Sequence, residues 1–170
     1  MIAMDEPPDI RRPNRRDSIA DLMRMVKVLN ARKLATAGTE LIGEGKWPEA
    51  LEKFNEAALI FLEMEDLLQR SNMLSMAGLC LYAMDRLGEA RDVMLEAIEL
   101  KKMGRADEGM ATDLIGLGEI LLKKGEKEEA AKRFSEAVNI FKRLGIGDGA
   151  ESAKKGLEKA KKAISASAGQ

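Results

Sequence analysis

The chain has 170 residues, of which 45% are apolar and 34% are charged, a balance typical of a folded domain and not of a disordered one. It contains no histidine and one cysteine, Cys80. These counts exclude a serine–histidine–acid triad, a cysteine–histidine dyad and, within one chain, a disulfide or a zinc cluster. Carboxylate, lysine and tyrosine chemistry stays open. The composition therefore favours a protein that is not an enzyme and needs no cofactor or metal.

The net charge of −1 is unevenly distributed along the chain. Residues 1–16 carry four arginines and three acids, and residues 151–170 carry five lysines and two glutamates, so residues 17–150 have a net charge of −5. This acidic body argues against sequence-independent nucleic-acid binding, which needs a basic surface. No apolar run reaches the roughly 18 residues of a membrane span, and the N-terminus lacks the apolar stretch of a secretory signal. Together with the unpaired cysteine, these features favour a cytoplasmic protein.

Residues 1–17 contain three of the four prolines and the basic run Arg11-Arg12-Pro13-Asn14-Arg15-Arg16. This composition predicts a disordered arm, and a short recognition motif is the alternative. Apolar residues at helical spacing follow, and Asp17 or Ser18 is a suitable N-cap. We therefore predict a long first helix from Ser18 to about Ile42, either continuous or slightly broken near Asn30.

Three glycines, Gly38, Gly78 and Gly118, recur at intervals of 40 residues. Each is followed at fixed distances by an alanine, a large apolar residue and a second alanine, namely Ala50, Phe54 and Ala57, then Ala90, Met94 and Ala97, then Ala130, Phe134 and Ala137. A fixed period of this length indicates one supersecondary unit that is copied and stacked. Apolar steps of three and four residues on both sides of a glycine-containing breaker predict helix–turn–helix in each copy. Because glycine destabilises a helix interior by about 1 kcal/mol, we expect these glycines to permit a close helix crossing opposite the alanines.

After the third copy, Gly145-Ile146-Gly147-Asp148-Gly149 predicts a loop. A last helix is predicted from Ala150 to about Ile164, with Ala153, Leu157, Ala160 and Ile164 facing inward and a lysine-rich face outward. We interpret it as a solvated capping helix whose end frays over residues 165–170. Contact of the lysine-rich face with an anionic partner or a membrane surface is the alternative.

The repeating residues resemble the signature of the tetratricopeptide repeat family. In this chain the signature is formed by Leu34-Ala37-Gly38-Leu41, Leu74-Ala77-Gly78-Leu81 and Leu114-Leu117-Gly118-Leu121, each with its alanine–large–alanine set. The chain departs from the family in its period of 40 rather than 34 and in its missing closing proline. It is similar in this to the long-spaced repeats of kinesin light chains and MalT-type regulators. We expect the six extra residues to lengthen the first helix of each copy and its preceding loop.

The resemblance implies an all-α, right-handed α-solenoid of three helix–turn–helix hairpins with a C-terminal capping helix. The hairpins would span about residues 25–64, 65–104 and 105–145 within a region 18–149 that includes the extended first helix. The capping helix and frayed tail would occupy residues 150–170.

The resemblance also implies a concave groove, lined by the first helix of each copy, that binds another polypeptide. The groove residues expected from the repeat frame are Arg32, Ala35, Thr36, Thr39, Ile42, Asn72, Ser75, Met76, Leu79, Tyr82, Thr112, Ile115, Gly116, Glu119 and Leu122. They are mostly neutral, apolar or small, and they lack the basic clamp with which chaperone-binding relatives hold a C-terminal carboxylate. An amphipathic helix or an extended apolar peptide is therefore the expected partner.

The predicted function is that of a non-enzymatic adaptor or scaffold. Two alternatives stay open. One is a self-associating structural protein, a homo-oligomer whose groove is filled by a neighbouring chain. The other is binding of an anionic partner or nucleic acid through the basic termini, which the acidic body disfavours.

Overall fold

The computed structural model describes the backbone of residues 15–168 and the side chains of residues 18–167. This part of the chain forms seven α-helices and no strand: α1 (Arg15–Gly43), α2 (Trp47–Glu63), α3 (Leu67–Ala83), α4 (Leu87–Met103), α5 (Asp107–Lys124), α6 (Lys127–Leu144) and α7 (Gly147–Ala168). Each helix packs mainly on the helices before and after it in sequence, as in a stack of hairpins. The predicted all-α solenoid of hairpins with a C-terminal helix is confirmed.

The six turns between the helices share one backbone geometry. A residue with positive φ, between 54° and 86°, occurs every 20 residues, at Gly45, Glu65, Asp85, Arg105, Gly125 and Gly145. At each turn this residue donates its N–H to the carbonyl three residues back, and the next residue donates to the carbonyl five back, as Arg86 does to Leu81 at 2.9 Å. This pair of bonds is the Schellman motif, which satisfies carbonyls at a helix C-terminus. The 40-residue period is therefore two near-equal units of helix and turn.

The six extra residues of each copy do not form a longer first helix and loop, as the sequence led us to expect. Helices α3 and α4 are both 17 residues long, and only residues 84–86 separate them. The expected longer loop is wrong, because the Schellman turns fix every linker at the same short length. The first helix is also no longer than the second in this hairpin.

Helix α1 is much longer than its partner α2. It has 29 residues against 17, and it passes Asn30 without a break. The ion pair between Lys27 and Glu63, at 2.8 Å, marks the level at which α2 ends. Residues 15–26 therefore lie N-terminal to that level and span about 18 Å, at about 1.5 Å per residue. Of these, Ala20, Met23 and Arg24 still border a hollow with the end of α2. Residues 15–17 belong to this helix and not to a disordered arm, and residues 1–14 lie outside the described residues.

Helix α7 is longer at both ends than predicted. Gly147 and Gly149, predicted as loop, form its first turn. A Cβ at Gly149 would lie 2.5 Å from the Phe141 ring, so glycine here allows the helix to start close to α6. The end that we expected to fray is helical to Ala168, and Lys127 donates a hydrogen bond to the carbonyl of Ala163 at 3.1 Å. Ala153 and Ala160 are fully buried, as the spacing indicated.

The core is built from the alanine–large–alanine sets of the second helices. All six alanines of these sets are 0% exposed, and Phe54, Met94 and Phe134 are buried between them. The repeated glycines face these large side chains rather than the alanines: a Cβ at Gly118 would lie 2.7 Å from the Phe134 ring, and one at Gly38 would lie 2.8 Å from the Phe54 ring. Close approach, expected from the sequence, is therefore an approach of helix backbone to a side chain.

One polar cluster is buried among α3, α4 and α5. The Lys101 ammonium lies 2.6 Å from the Asp113 carboxylate, and the two side chains are 5% and 6% exposed. Lys101 also donates to the Ser75 hydroxyl at 3.0 Å, and Ser75 donates to Asp113 at 2.8 Å. Burial raises the pKa of the Asp113 carboxyl above its ordinary value of 3.8, even though Lys101 and Ser75 lower it. For the charged Asp113 carboxylate, the unfavourable effect of dehydration therefore exceeds the stabilisation that Lys101 and Ser75 provide.

Candidate functional site

The first helices of the hairpins, together with α7, form one face of the stack, and this face contains an apolar hollow between α3 and α5. We call it the groove hollow; it has a volume of about 220 Å³ and is lined by Gly78, Leu79, Tyr82, Met94, Gly116, Glu119 and Ile120. It exists because glycine occupies positions 78 and 116, where a Cβ would lie 3.1 Å and 3.3 Å from the Met94 methyl group. The Met94 side chain therefore forms the floor, and Leu79, which is 43% exposed, stands at its edge.

A second hollow adjoins the first and shares Tyr82 and Glu119 with it. We call it the rim hollow; it has a volume of about 370 Å³ and is lined by Tyr82, Glu119, Leu122, Lys123, Lys159 and Ala163. Its walls are charged. Lys159 of α7 lies 2.6 Å from the Glu119 carboxylate, which raises the pKa of the Lys159 ammonium. The two hollows together run from α3 across α5 to α7.

The ring face of Tyr82 contacts a lysine. The Lys123 ammonium lies 4.8 Å from the centroid of the Tyr82 ring, within the range of a cation–π interaction. The same ammonium lies 2.8 Å from the carboxylate of Asp85, which raises its pKa. A cation thus contacts the Tyr82 ring, and the Tyr82 side chain borders both hollows.

The structure brings together five of the predicted groove residues. Leu79, Tyr82, Gly116 and Glu119 line the groove hollow, and Leu122 lines the rim hollow. The α1 set lies apart from both hollows. Within that set Thr36 and Thr39 donate their hydroxyls to carbonyls of their own helix, at 3.1 and 3.0 Å, as Thr112 of α5 also does.

The remaining predicted residues have other surroundings. Ser75 is engaged in the buried cluster with Lys101 and Asp113. Packing against the hydrophobic core partly buries Ala35, Ile42, Met76 and Ile115. Arg32 is exposed and Asn72 is half-buried, and neither lines a hollow described above.

The sequence-based selection missed the contribution of α7. Lys159 and Ala163 line the rim hollow, although α7 was interpreted as a solvated cap. The signal that finds them is the 40-residue frame itself, since Lys159 and Ala163 are the counterparts of Glu119 and Lys123 one copy later. Helix α7 therefore occupies the position of a further first helix. Its Gly156, the counterpart of Gly116, also faces a second-helix side chain, because a Cβ there would lie 2.3 Å from Phe134.

Among the described residues, the lining of the two hollows includes neither a metal-binding cluster nor a cysteine. In the part of the chain that the structure describes, no group of three or more His, Cys, Asp or Glu side chains is placed to hold a metal ion. Burial raises the pKa of the Cys80 thiol to about 11, so its reactive thiolate is scarce at neutral pH. None of the helices described here has the length and apolarity that a membrane crossing requires.

Comparison with known proteins agrees with this description. Residues 69–143 match the sequence profile of the Tetratricopeptide repeat family. No curated protein matches the chain.

The structure is similar to the TPR-like repeats of a kinesin light chain from Podosopora anserina, with a TM-score of 0.69, 14% identity and coverage of 79% of this chain and 66% of that one. It is similar to the Sgt2 TPR domain from Aspergillus fumigatus, with a TM-score of 0.63, 17% identity and 82% coverage of both chains. It is also similar to BtubC from P. vanneervenii, with a TM-score of 0.64, 14% identity and coverage of 85% and 66%. The chain thus spans just under two thirds of the length of the kinesin light chain and BtubC structures. At these identities the likeness shows the fold.

Proposed function

We propose that this chain, whose residues 69–143 are tetratricopeptide repeats, is an adaptor that holds one apolar side chain of a partner peptide in the groove hollow. Proteins of this fold are generally non-enzymatic scaffolds for protein interaction, which supports the coarser part of the proposal. The finer part rests on the hollow. Its shape and its lining decide what kind of ligand fits.

The size of the groove hollow carries the proposal. At about 220 Å³ it is below the roughly 300–1,000 Å³ of pockets that enclose a cofactor or a drug-sized ligand. It is open to solvent on the Leu79 side and has an apolar floor, Met94, whose flexible thioether adapts to different shapes. A single leucine, methionine or phenylalanine side chain, presented by a helix or an extended peptide, suits this space.

The charges around the two hollows favour a partner with mixed polarity beside its apolar anchor. Glu119 and Lys159 already form an ion pair, and Lys123 is paired with Asp85. A free carboxylate on the partner would compete with these existing pairs and gain little, as is usual for exposed ion pairs. The absence of a basic clamp among the predicted groove residues supports the same conclusion. We therefore favour an internal amphipathic segment as the ligand over a C-terminal carboxylate.

The test is selection from a displayed library of random peptides on the immobilised full chain, followed by affinity measurement with fluorescently labelled peptides. We expect enrichment of peptides with one large apolar residue. We expect Leu79→Glu or Tyr82→Ala to abolish their binding while helical content stays unchanged, because these side chains form the edge and wall of the groove hollow. Gly116→Met should also abolish binding by filling the hollow from within.

The matched control is Leu59→Glu, which places the same charge on an exposed leucine of α2 outside either hollow. This variant should bind like the unmodified chain. Selected peptides that bind equally well to all three groove variants would show that the ligand uses another surface, and the proposal would fail. Failure to enrich any peptide would also count against it.

A further inference from the structure

The N-terminal part of α1 carries an apolar stripe that stays largely exposed among the described residues. Its six members are 53–61% exposed and recur at helical spacing; they are Ile19, Leu22, Met23, Met25, Val26 and Leu29. We call them the α1 stripe. By helix geometry five of the six face away from the side on which Ala31 and Gly38 are buried against α2. Met23 lies at the edge nearer to α2 and borders a hollow there with Glu63 and Met64. The other five are therefore not needed to hold the first hairpin together.

The exposed apolar area of the α1 stripe is large enough for a protein interface. Six such side chains at this exposure present on the order of 500–600 Å², which equals the largest apolar patch of a typical monomeric protein. Two such surfaces that cover each other would bury on the order of 1,000–1,200 Å², the size at which specific protein interfaces begin. A partner helix of similar length is enough to cover it.

The structure argues against another stacked hairpin as that partner. In the second copy the counterparts of Lys33 and Glu40 are Met73 and Cys80, which are buried against the preceding hairpin. In the third copy they are Asp113 and Ile120, and Asp113 is buried together with an ion-pair partner, Lys101, from the preceding hairpin. In α1 both positions are charged and exposed, so a hairpin packed there would bury two charges. The apolar surface ends where the hairpin begins. It suits a single helix that contacts only residues 19–29.

The apolar residues of the α1 stripe keep the same spacing when the direction of the helix is reversed. When the helix is reversed about Arg24, Ile19 coincides with Leu29, Leu22 with Val26, and Met23 with Met25. The 3-4-3 spacing of Ile19, Leu22, Val26 and Leu29 is that of the a and d positions of a coiled coil. An antiparallel pair of such helices alternates a against d, which this order provides. A two-fold symmetric dimer uses the same patch on both subunits, so in an antiparallel pair each apolar residue of the stripe lies opposite an apolar residue of the partner chain.

We propose that the protein forms a homodimer in which the N-terminal parts of two α1 helices pair antiparallel through the α1 stripe. The Met23 side chains of the two chains then meet across the two-fold axis, as do those of Met25. The two hairpin stacks, attached to the C-terminal ends of the paired helices, point to opposite ends of the interface and do not collide. This interface is separate from the groove and does not depend on the proposed function.

The first test is the mass of the full chain in solution, measured by light scattering and sedimentation equilibrium up to about 0.5 mM, since dimers shift with concentration by mass action. We expect a concentration-dependent dimer. The double variant Leu22→Glu/Val26→Glu should be monomeric, with unchanged helical content in the stack. The control variant Leu59→Glu/Met103→Glu changes two equally exposed apolar residues elsewhere, at 61% and 66%, and should remain dimeric.

The second test fixes the orientation with a short bismaleimide cross-linker. Cys80 is fully buried and does not compete. Antiparallel pairing predicts that Met23→Cys is cross-linked to its copy, and that Ile19→Cys is not, because the two positions 19 lie about 15 Å apart along the axis. Parallel pairing places equivalent positions at the same level, so cross-linking of Ile19→Cys to its copy would overturn the antiparallel arrangement.

A monomer at every concentration, or a dimer that survives Leu22→Glu/Val26→Glu, would overturn the proposal. In the monomer case, deletion of residues 1–14 and binding to phosphatidylserine-containing vesicles would show whether the chain itself or a membrane surface covers the stripe. Leu79→Glu must leave the dimer unchanged. A monomeric Leu79→Glu variant would place the self-association in the groove instead.

Discussion

The buried ion pair between Lys101 and Asp113 is the clearest place at which stability can be changed by design, because the repeat supplies the replacement. The pair lies between the second and third hairpins. At the same positions one copy later, between the third hairpin and α7, the chain has Phe141 and Ala153, which are 3% and 0% exposed. The neighbouring Gly109, which borders the Lys101 stem, corresponds to Gly149 beside the Phe141 ring. The double variant Lys101→Phe/Asp113→Ala therefore copies an interface that already exists in this protein.

The expected magnitudes follow from the burial of the pair. Removal of one partner, as in Asp113→Ala or Lys101→Phe alone, leaves an uncompensated charge in a site about 5% exposed and should cost about 3–5 kcal/mol. Replacement of both should be neutral or should stabilise by about 1–4 kcal/mol, because buried pairs seldom recover their dehydration cost. The direction of the Asp113 pKa supports the stabilising outcome, since burial outweighs the lysine and the hydroxyl that act on it.

The assay is urea unfolding of the four proteins followed by circular dichroism, with the slope of each transition compared as well as its midpoint. In a stack of repeats, a weakened interface can separate the transition into two steps. Loss of less than about 1 kcal/mol in both single variants, or a double variant as unstable as the sum of the single ones, would refute the reasoning.

Four further outcomes are expected. The pKa of Asp113 is raised above 3.8 in the folded state, so near that pH the folded chain binds more protons at this group than the unfolded chain does. The stability of the native chain relative to Lys101→Phe/Asp113→Ala should therefore be highest below pH 3.8 and should decrease as pH rises through the raised pKa. Urea unfolding at several pH values measures this difference. Glu65→Gly and Arg105→Gly should each stabilise by up to about 1 kcal/mol because both residues have positive φ, while Gly125→Ala should destabilise by about 1 kcal/mol, all measured by thermal unfolding. Gly118→Ala should cost about 1–3 kcal/mol because its Cβ would collide with the Phe134 ring, whereas Gly88→Ala, with nothing within 4 Å, should cost nothing. The Cys80 thiol, with its pKa raised to about 11 and 0% exposure, should react with a maleimide only at the rate at which the chain opens, so that added urea accelerates labelling; fast labelling of the native protein would contradict its burial.

The architecture could be predicted because it depends on residues that recur in the sequence at a fixed period. Glycine and alanine at positions such as 38 and 50 are unusual enough, and regular enough, to give the hairpins and their number. The turns could be predicted only in part. Glycine marks the left-handed residue at 45, 125 and 145, but Glu65, Asp85 and Arg105 adopt the same conformation with no sign in their residue type. The half-period of 20 residues was hidden for that reason.

The site was harder to predict than the fold, because a hollow depends on what the neighbouring helices lack. Gly116 was selected as a surface residue of the groove, but its importance lies in the space above Met94, a residue of the second helix. The contribution of α7 to the rim hollow was missed because its lysine-rich face was interpreted as a solvated cap. The start of the helix was missed because Gly147 and Gly149 resemble a linker. Only the contact of Gly149 with Phe141 explains why they start a helix instead.

The position of the Lys101–Asp113 ion pair suggests that it disfavours incorrect stacking of the hairpins. The hairpins are so alike that an incorrect stack, with one hairpin omitted or exchanged between two chains, would match most apolar contacts. An incorrect stack of the first hairpin on the third would place Phe61 against Asp113, and one of the second on α7 would place Lys101 against Ala153. Each leaves a buried charge unpaired, at about 3–5 kcal/mol. The pair therefore favours the correct neighbours at the middle interface.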